Sequence, residues 1–255
     1  MIQPKQFFDC LTKSGVTFFS GVPDSLLKNI CSYITDHSLP ENNIIAANEG
    51  NAISIGVGYH LSTGKTPLIY MQNSGLGNAI NPLLSLADPD VYSVPLLMMI
   101  GWRGEPGVKD EPQHKKQGRV TTALLDAMEI PYQIVDADSS IVEVEAILKE
   151  ILDLSKKENR PCALLVKKGT FKEYKFQTKN RYERPLYREQ AIKIVVDSLH
   201  KTDIVVSTTG VASRELFEYR EKLNVGHEKD FLTVGGMGHT SQIALGIALQ
   251  KQDRQ

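Results

Sequence analysis

At 255 residues, the chain is long enough for one large α/β domain, or for one domain plus part of a second. Its 29 Lys+Arg against 30 Asp+Glu leave a net charge of −1, which lacks the basic footprint of a nucleic-acid binder. A 41% hydrophobic content is enough to offset chain entropy and argues against disorder. Cys10, Cys31 and Cys162 lie far apart with no Cys-x-x-Cys pair, so neither a disulfide framework nor a zinc site follows. Apolar runs fall far short of the roughly 18 residues of a membrane span. The opening residues form no signal-type apolar segment, and the expectation is a soluble, cytoplasmic protein without a membrane partner.

Along the chain, apolar residues at helical spacing (Phe7, Phe8, Leu11; Leu26, Leu27, Ile30) alternate with short β-rich runs. Strands are predicted at 16–20, 44–47, 67–71, 96–100, 132–134 and 162–166. Most are uninterrupted apolar runs, as suits strands buried on both faces of a parallel sheet. Helices fill the gaps, 51–61 and 141–155 among them. Residues 1–166 therefore read as a doubly wound parallel α/β domain. Residues 167–188, rich in Lys, Glu, Arg and Tyr and carrying Pro185, read as a linker. The rhythm then restarts: helix 189–199, strand 204–207, helix 213–223, strand 231–234, helix 240–250. Two strands are too few to stand alone. The segment is an appendage, shares strands with another chain, or is the front part of a second α/β domain in a longer chain. The third reading is the expectation.

Four stretches directly follow predicted strands, where α/β sheets place their ligands. In Ser20-Gly21-Val22-Pro23-Asp24-Ser25, the Gly-Pro turn leaves Asp24 or Ser25 to cap a helix, or to present an acid to a ligand. In Ala47-Asn48-Glu49-Gly50-Asn51, Glu49 either complements a helix dipole or shares a proton with a ligand nitrogen in a dry cleft. Asn73-Ser74-Gly75-Leu76-Gly77-Asn78 offers backbone donors at a helix start, a weak signal alone. Gly56-Val57-Gly58 is better explained by close helix packing than by a dinucleotide fingerprint. The stretch 101–118 reads as one long Gly/Pro-punctuated loop holding Trp102. Lys115-Lys116 is most simply a solvated face, whereas Arg103, Lys109 and His114 would bind a multiply charged anion if they converge.

In their order, these segments resemble the thiamine-diphosphate-dependent 2-oxo acid decarboxylases, with Ser207-Thr208-Thr209-Gly210, Ser213-Arg214-Glu215 and Gly235-Gly236-Met237-Gly238-His239 extending the likeness over nearly the whole chain. The resemblance implies that Glu49 hydrogen-bonds the cofactor's pyrimidine nitrogen and promotes the imino form that removes the thiazolium proton. It implies that Asp24 (or Ser25) and His114 handle protons in catalysis, that Ser25, Arg103 and Lys109 bind substrate, and that Asn73 and Gly75 touch the cofactor. Thr209, Gly210 and Ser213 would lie near the diphosphate. Gly235 would offer a carbonyl to the cofactor amine, and Met237 would hold the cofactor bent. The implied reaction is decarboxylation of 3-phosphonopyruvate to phosphonoacetaldehyde in phosphonate biosynthesis, with sulfopyruvate as the alternative substrate. An oligomer of at least two subunits is implied, because family half-sites come from different subunits. The family's Gly-Asp-Gly signature for Mg²⁺ and diphosphate does not occur, and would be expected beyond Ala248-Leu249. No metal ligand is therefore assigned. A fragment, a split enzyme and a non-catalytic assembly subunit are the open readings of that gap.

Overall fold

The computed structural model describes residues 1–177 and 185–254, in two compact units that meet in sequence between residues 178 and 179. The first unit runs α1 (Pro4–Lys13), β1 (Phe19–Gly21), α2 (Lys28–His37), β2 (Asn43–Ile45), α3 (Glu49–Thr63), β3 (Leu68–Gln72), α4 (Leu76–Pro82), β4 (Leu96–Gly101), α5 (Pro112–Ala127), β5 (Tyr132–Val135), α6 (Ile141–Glu158) and β6 (Pro161–Val166). Its six strands form one parallel sheet in the order β2-β1-β3-β4-β6-β5.

Period-two alternation along the strands builds a core on each face. Leu97 and Met99 of β4 and Leu164 of β6 join Phe7, Leu11, Ile30, Ile34, Leu148 and Leu152 of α1, α2 and α6. Leu96, Met98, Ile100 and Leu165 face the other way, with Ile53, Val57, Leu76, Ala79 and Leu125 of α3, α4 and α5. Both β4 and β6 are buried along their whole length, which is why they read as solid apolar runs. The doubly wound expectation for the first unit is met. Chain direction across the sheet reverses between β1 and β3, so a crevice opens at their carboxyl ends.

Two sequence expectations shift. Pairing in β1 begins at Phe19, because the Val16 amide still donates to the Leu11 carbonyl at 2.9 Å to finish α1. The long loop expected over 101–118 ends at Pro112, where α5 starts. Its first two turns, Pro-Gln-His-Lys-Lys-Gln-Gly, are polar on every side. Hydrophobic periodicity is blind to such a helix, and the proline in its first turn is the one local signal of its start.

Part of the stretch expected as a linker is held to the first unit. Ile2 and Phe171 form a parallel bridge, with Ile2 N donating to Thr170 O at 2.8 Å and Lys172 N to Ile2 O at 2.9 Å. Asn29 then bonds the backbone of Phe171 and Tyr174, and Asp36 accepts from Tyr174 OH and Gln177 N. The linker expectation for residues 178–184 lies outside the described residues.

The second unit contains α7 (Arg188–Asp197), β7 (Val205–Ser207), α8 (Val211–Lys222), β8 (Asp230–Leu232) and α9 (Thr240–Gln250), with β7 and β8 parallel. Val196, Leu216, Asp203 and Ser213 are its buried side chains among the described residues, and Val234, Met237, Leu245 and Leu249 are exposed. No helix among the described residues is long and apolar enough to cross a membrane.

Candidate active site

The site residues of the first unit sit at the carboxyl edge of the sheet. The turn after β1 carries Asp24, which is 5% exposed. Its carboxylate rests on the bare Cα of Gly101, the last residue of β4, where a Cβ would collide with Oδ2. Oδ2 accepts from Leu27 N at 3.2 Å, so the capping role is real. Oδ1 is buried and unpartnered. Burial pushes this carboxyl up to about 6, against the opposing pull of the Leu26, Leu27 and Ser25 amides and of Arg103. A buried carboxylate oxygen left without a partner is costly unless a ligand uses it.

Arg103, two residues past β4, reaches the same edge. Its Nη1 donates to Ser25 Oγ at 2.8 Å, while Nε and Nη2 donate to the two oxygens of Asp110 at 2.8 and 2.5 Å. Asp110 is held well below the usual carboxylate range, chiefly by that hydrogen-bonded Arg103. His114 lies in the first turn of α5 with its Nδ1 buried and unpartnered. Burial, then the charge of Arg103, pulls its imidazole below the ordinary value, which favours the neutral ring. Arg103, Ser25 and Asp24 thus form one cluster, and His114 feels its charge. Lys109 is exposed and joins no ion pair among the described residues.

Close backbone contacts set this geometry. Gly104 (φ +68°) lies with its Cα against the His114 carbonyl, and the Gly118 Cα lies against the Gly104 carbonyl. Trp102 Nε1 donates to Gly118 O at 2.9 Å. A methyl on Gly118 would run into backbone, so Gly118→Ala is expected to cost about 2 kcal/mol. The check is the urea midpoint at unchanged m. A wild-type midpoint would mean that α5 is free to back away from the loop.

Glu49 opens α3, where Asn48 caps the helix by accepting from Asn51 N at 2.9 Å. Its carboxylate lies over the bare Cα of Gly75, and Asn78 Nδ2 donates to Oε2 at 2.8 Å. Gly75 is therefore the seat of Glu49. Asn73 turns out to be engaged internally: 1% exposed, it donates to Arg103 O and Thr121 Oγ1, both at 2.8 Å, and accepts from Arg103 N at 3.1 Å. Its amide ties β3 to the Arg103 backbone and has no hydrogen left for a ligand.

In the second unit, Thr209 and Gly210 form the turn from β7 into α8, where Gly210 (φ +90°) precedes the first helical residue. Ser213 is buried, its hydroxyl donating to Thr208 O at 2.6 Å. Gly235 and Met237 follow β8, with Met237 62% exposed. Asp110, Thr121 and Asn78 were not anticipated. Asp110 stands seven residues from Arg103 in the same segment, a spacing that lets the two pair. The other two act across turns of the fold.

Comparison with known proteins gives these arrangements a family. Residues 4–130 match the thiamine pyrophosphate enzyme N-terminal TPP-binding domain. The chain is 32% identical over 255 aligned residues to phosphonopyruvate decarboxylase of Streptomyces viridochromogenes, covering 94% of this chain and 61% of that protein. It is 34% identical to sulfopyruvate decarboxylase subunit alpha of Methanococcus maripaludis, covering 62% of this chain and 90% of that subunit. Benzoylformate decarboxylase from Polynucleobacter necessarius is similar in structure at 16% identity, with a TM-score of 0.48 over 80% of this chain and 38% of that one. The chain spans 61% and 63% of the two phosphonopyruvate decarboxylases that it matches. With an acid seated after β2, a second acid after β1, and nine-tenths of a decarboxylase subunit matched at this identity, the chain belongs to the thiamine pyrophosphate enzyme family.

Proposed function

We propose that the protein is the proton-handling and substrate-gathering part of a thiamine-diphosphate-dependent decarboxylase. Its substrate is a small 2-oxo acid with a second anionic group, first 3-phosphonopyruvate, and the products are phosphonoacetaldehyde and carbon dioxide. The observation that carries this reading is the meeting of the Asp24 carboxylate, its Oδ1 buried and unpartnered, with Arg103 and Ser25 at the carboxyl edge. The residues present fit the cofactor's ring end: Glu49, fixed by Asn78 over Gly75, is a carboxylate that can share a proton with a ring nitrogen. When bound, thiamine diphosphate supplies the electron sink for loss of carbon dioxide.

This chain's own residues do the rest. Glu49 offers its Asn78-held carboxylate to the ring nitrogen. Asp24, partly protonated near pH 6, exchanges a proton at Oδ1. His114, whose Nδ1 is buried and unpartnered, takes or returns one at that nitrogen. Arg103 Nη1 and Ser25 Oγ face the phosphonate, with Lys109 as a further cation. Thr209, Gly210 and Ser213 are assigned to the diphosphate, and Gly235 and Met237 to the ring end. Among the described residues no group of three His, Cys, Asp or Glu could hold a metal. The Mg²⁺ ligands are assigned to the rest of an assembled cytoplasmic oligomer. Sulfopyruvate is the second reading, favoured by the match to a sulfopyruvate decarboxylase alpha subunit.

The test is carbon dioxide release with thiamine diphosphate and Mg²⁺, offering 3-phosphonopyruvate, sulfopyruvate and pyruvate in parallel. Arg103→Ala is expected to raise KM for 3-phosphonopyruvate on the order of tenfold or more, and for pyruvate little, since it removes a charge-assisted contact that pyruvate cannot make. Equal effects on both would remove Arg103 from anion recognition. Silence on all three substrates would favour the assembly-subunit reading.

A further inference from the structure

Asp110 is built into the site more tightly than a surface counter-ion. Its carboxylate accepts four N–H groups: Arg103 Nε and Nη2, Gly104 N at 2.8 Å and Glu111 N at 2.8 Å. That saturates its lone-pair sites. The side chain is 11% exposed, against 21% for Arg103. The Nε–Nη2 edge of the guanidinium is therefore spent, and Nη1, with its partner Ser25 Oγ, is the group turned toward the carboxyl end of β1. Asp110 also closes the segment 103–110 into a ring whose backbone abuts α5 at Gly104 and His114. The charged and titratable groups around the pair are Asp24, Glu111 and His114.

We propose that Asp110 is a positioning residue for substrate choice: its grip on Nε and Nη2 fixes Arg103 so that only the Nη1 edge, beside Ser25, meets the anionic tail of a 2-oxo acid. Planar bidentate pairing is what makes this hold directional, and a lysine at 103 could not reproduce it. The inference rests on the reading of Arg103 as the anion contact.

The experiment uses the full chain and two readouts. Affinity for 3-phosphonopyruvate and for pyruvate is followed by the fluorescence of Trp102, the only tryptophan and the residue before Arg103. KM and kcat are followed by carbon dioxide release wherever turnover occurs. Asp110→Asn is expected to weaken 3-phosphonopyruvate binding about tenfold, as loss of one charge-assisted hydrogen bond would. Pyruvate binding and kcat should change little. Arg103→Lys, which keeps the charge without the fork, should show the same selective loss. In an Arg103→Ala background, Asp110→Asn should add almost nothing, because the two act as one unit. An additive effect, or equal weakening of both substrates by Asp110→Asn, would overturn the positioning role. If Arg103→Ala itself weakens both equally, it is the anion-contact reading that fails.

Discussion

Glu49→Gln is expected to lower turnover about a thousandfold and to leave the thermal midpoint where it is. The amide matches the acid in volume, still accepts from Asn78 through its remaining oxygen, and still lies on the bare Cα of Gly75. Only the ability to hold and share a proton is removed. A variant with wild-type kcat would refute the proton-sharing role. A variant that melts early would instead reveal a packing role, and circular dichroism separates the two.

The second large effect is a trade between stability and activity at Asp24. In the unfolded chain its carboxyl titrates near 3.8, and burial moves it up to about 6 in the fold. A raised carboxyl stabilises the fold fully below the unfolded value, and that contribution is lost as pH rises through about 6. The difference of roughly two pH units corresponds to about 3 kcal/mol. Asp24→Asn carries no charge to bury, so at pH 8 it should be more stable than wild type by up to about 3 kcal/mol. At pH 4 the two should converge. Turnover should fall about a hundredfold or more. Paired denaturant titrations at pH 4 and pH 8 decide it. A variant no more stable than wild type at pH 8 would show that ionised Asp24 is not under strain.

What could be read in advance follows from what leaves a local mark. β4 and β6 were legible because strands buried on both faces have no polar residue to interrupt them. Asp24, Glu49 and Arg103 were legible as residues placed just after strands. The start of α5 was hidden, since a helix whose first turns are solvated carries no apolar stripe. The internal bonds of Asn73 were hidden, because a polar residue at a strand end looks the same whether it meets a ligand or a backbone 30 residues away. The Asp110 clamp is a pairing of side chains. Spacing permits such a pair, and only folded geometry selects it.

The bridge between Ile2 and Phe171 places the first and last backbone of the six-stranded unit side by side. Every strand of that sheet, and both of its cores, lie between those two points. A gene cut just downstream of this clasp would sever no strand pairing and open no new sheet edge. A polypeptide ending just after this clasp is thus expected to keep the six-stranded sheet and both of its cores, a result that circular dichroism of that shorter chain would check.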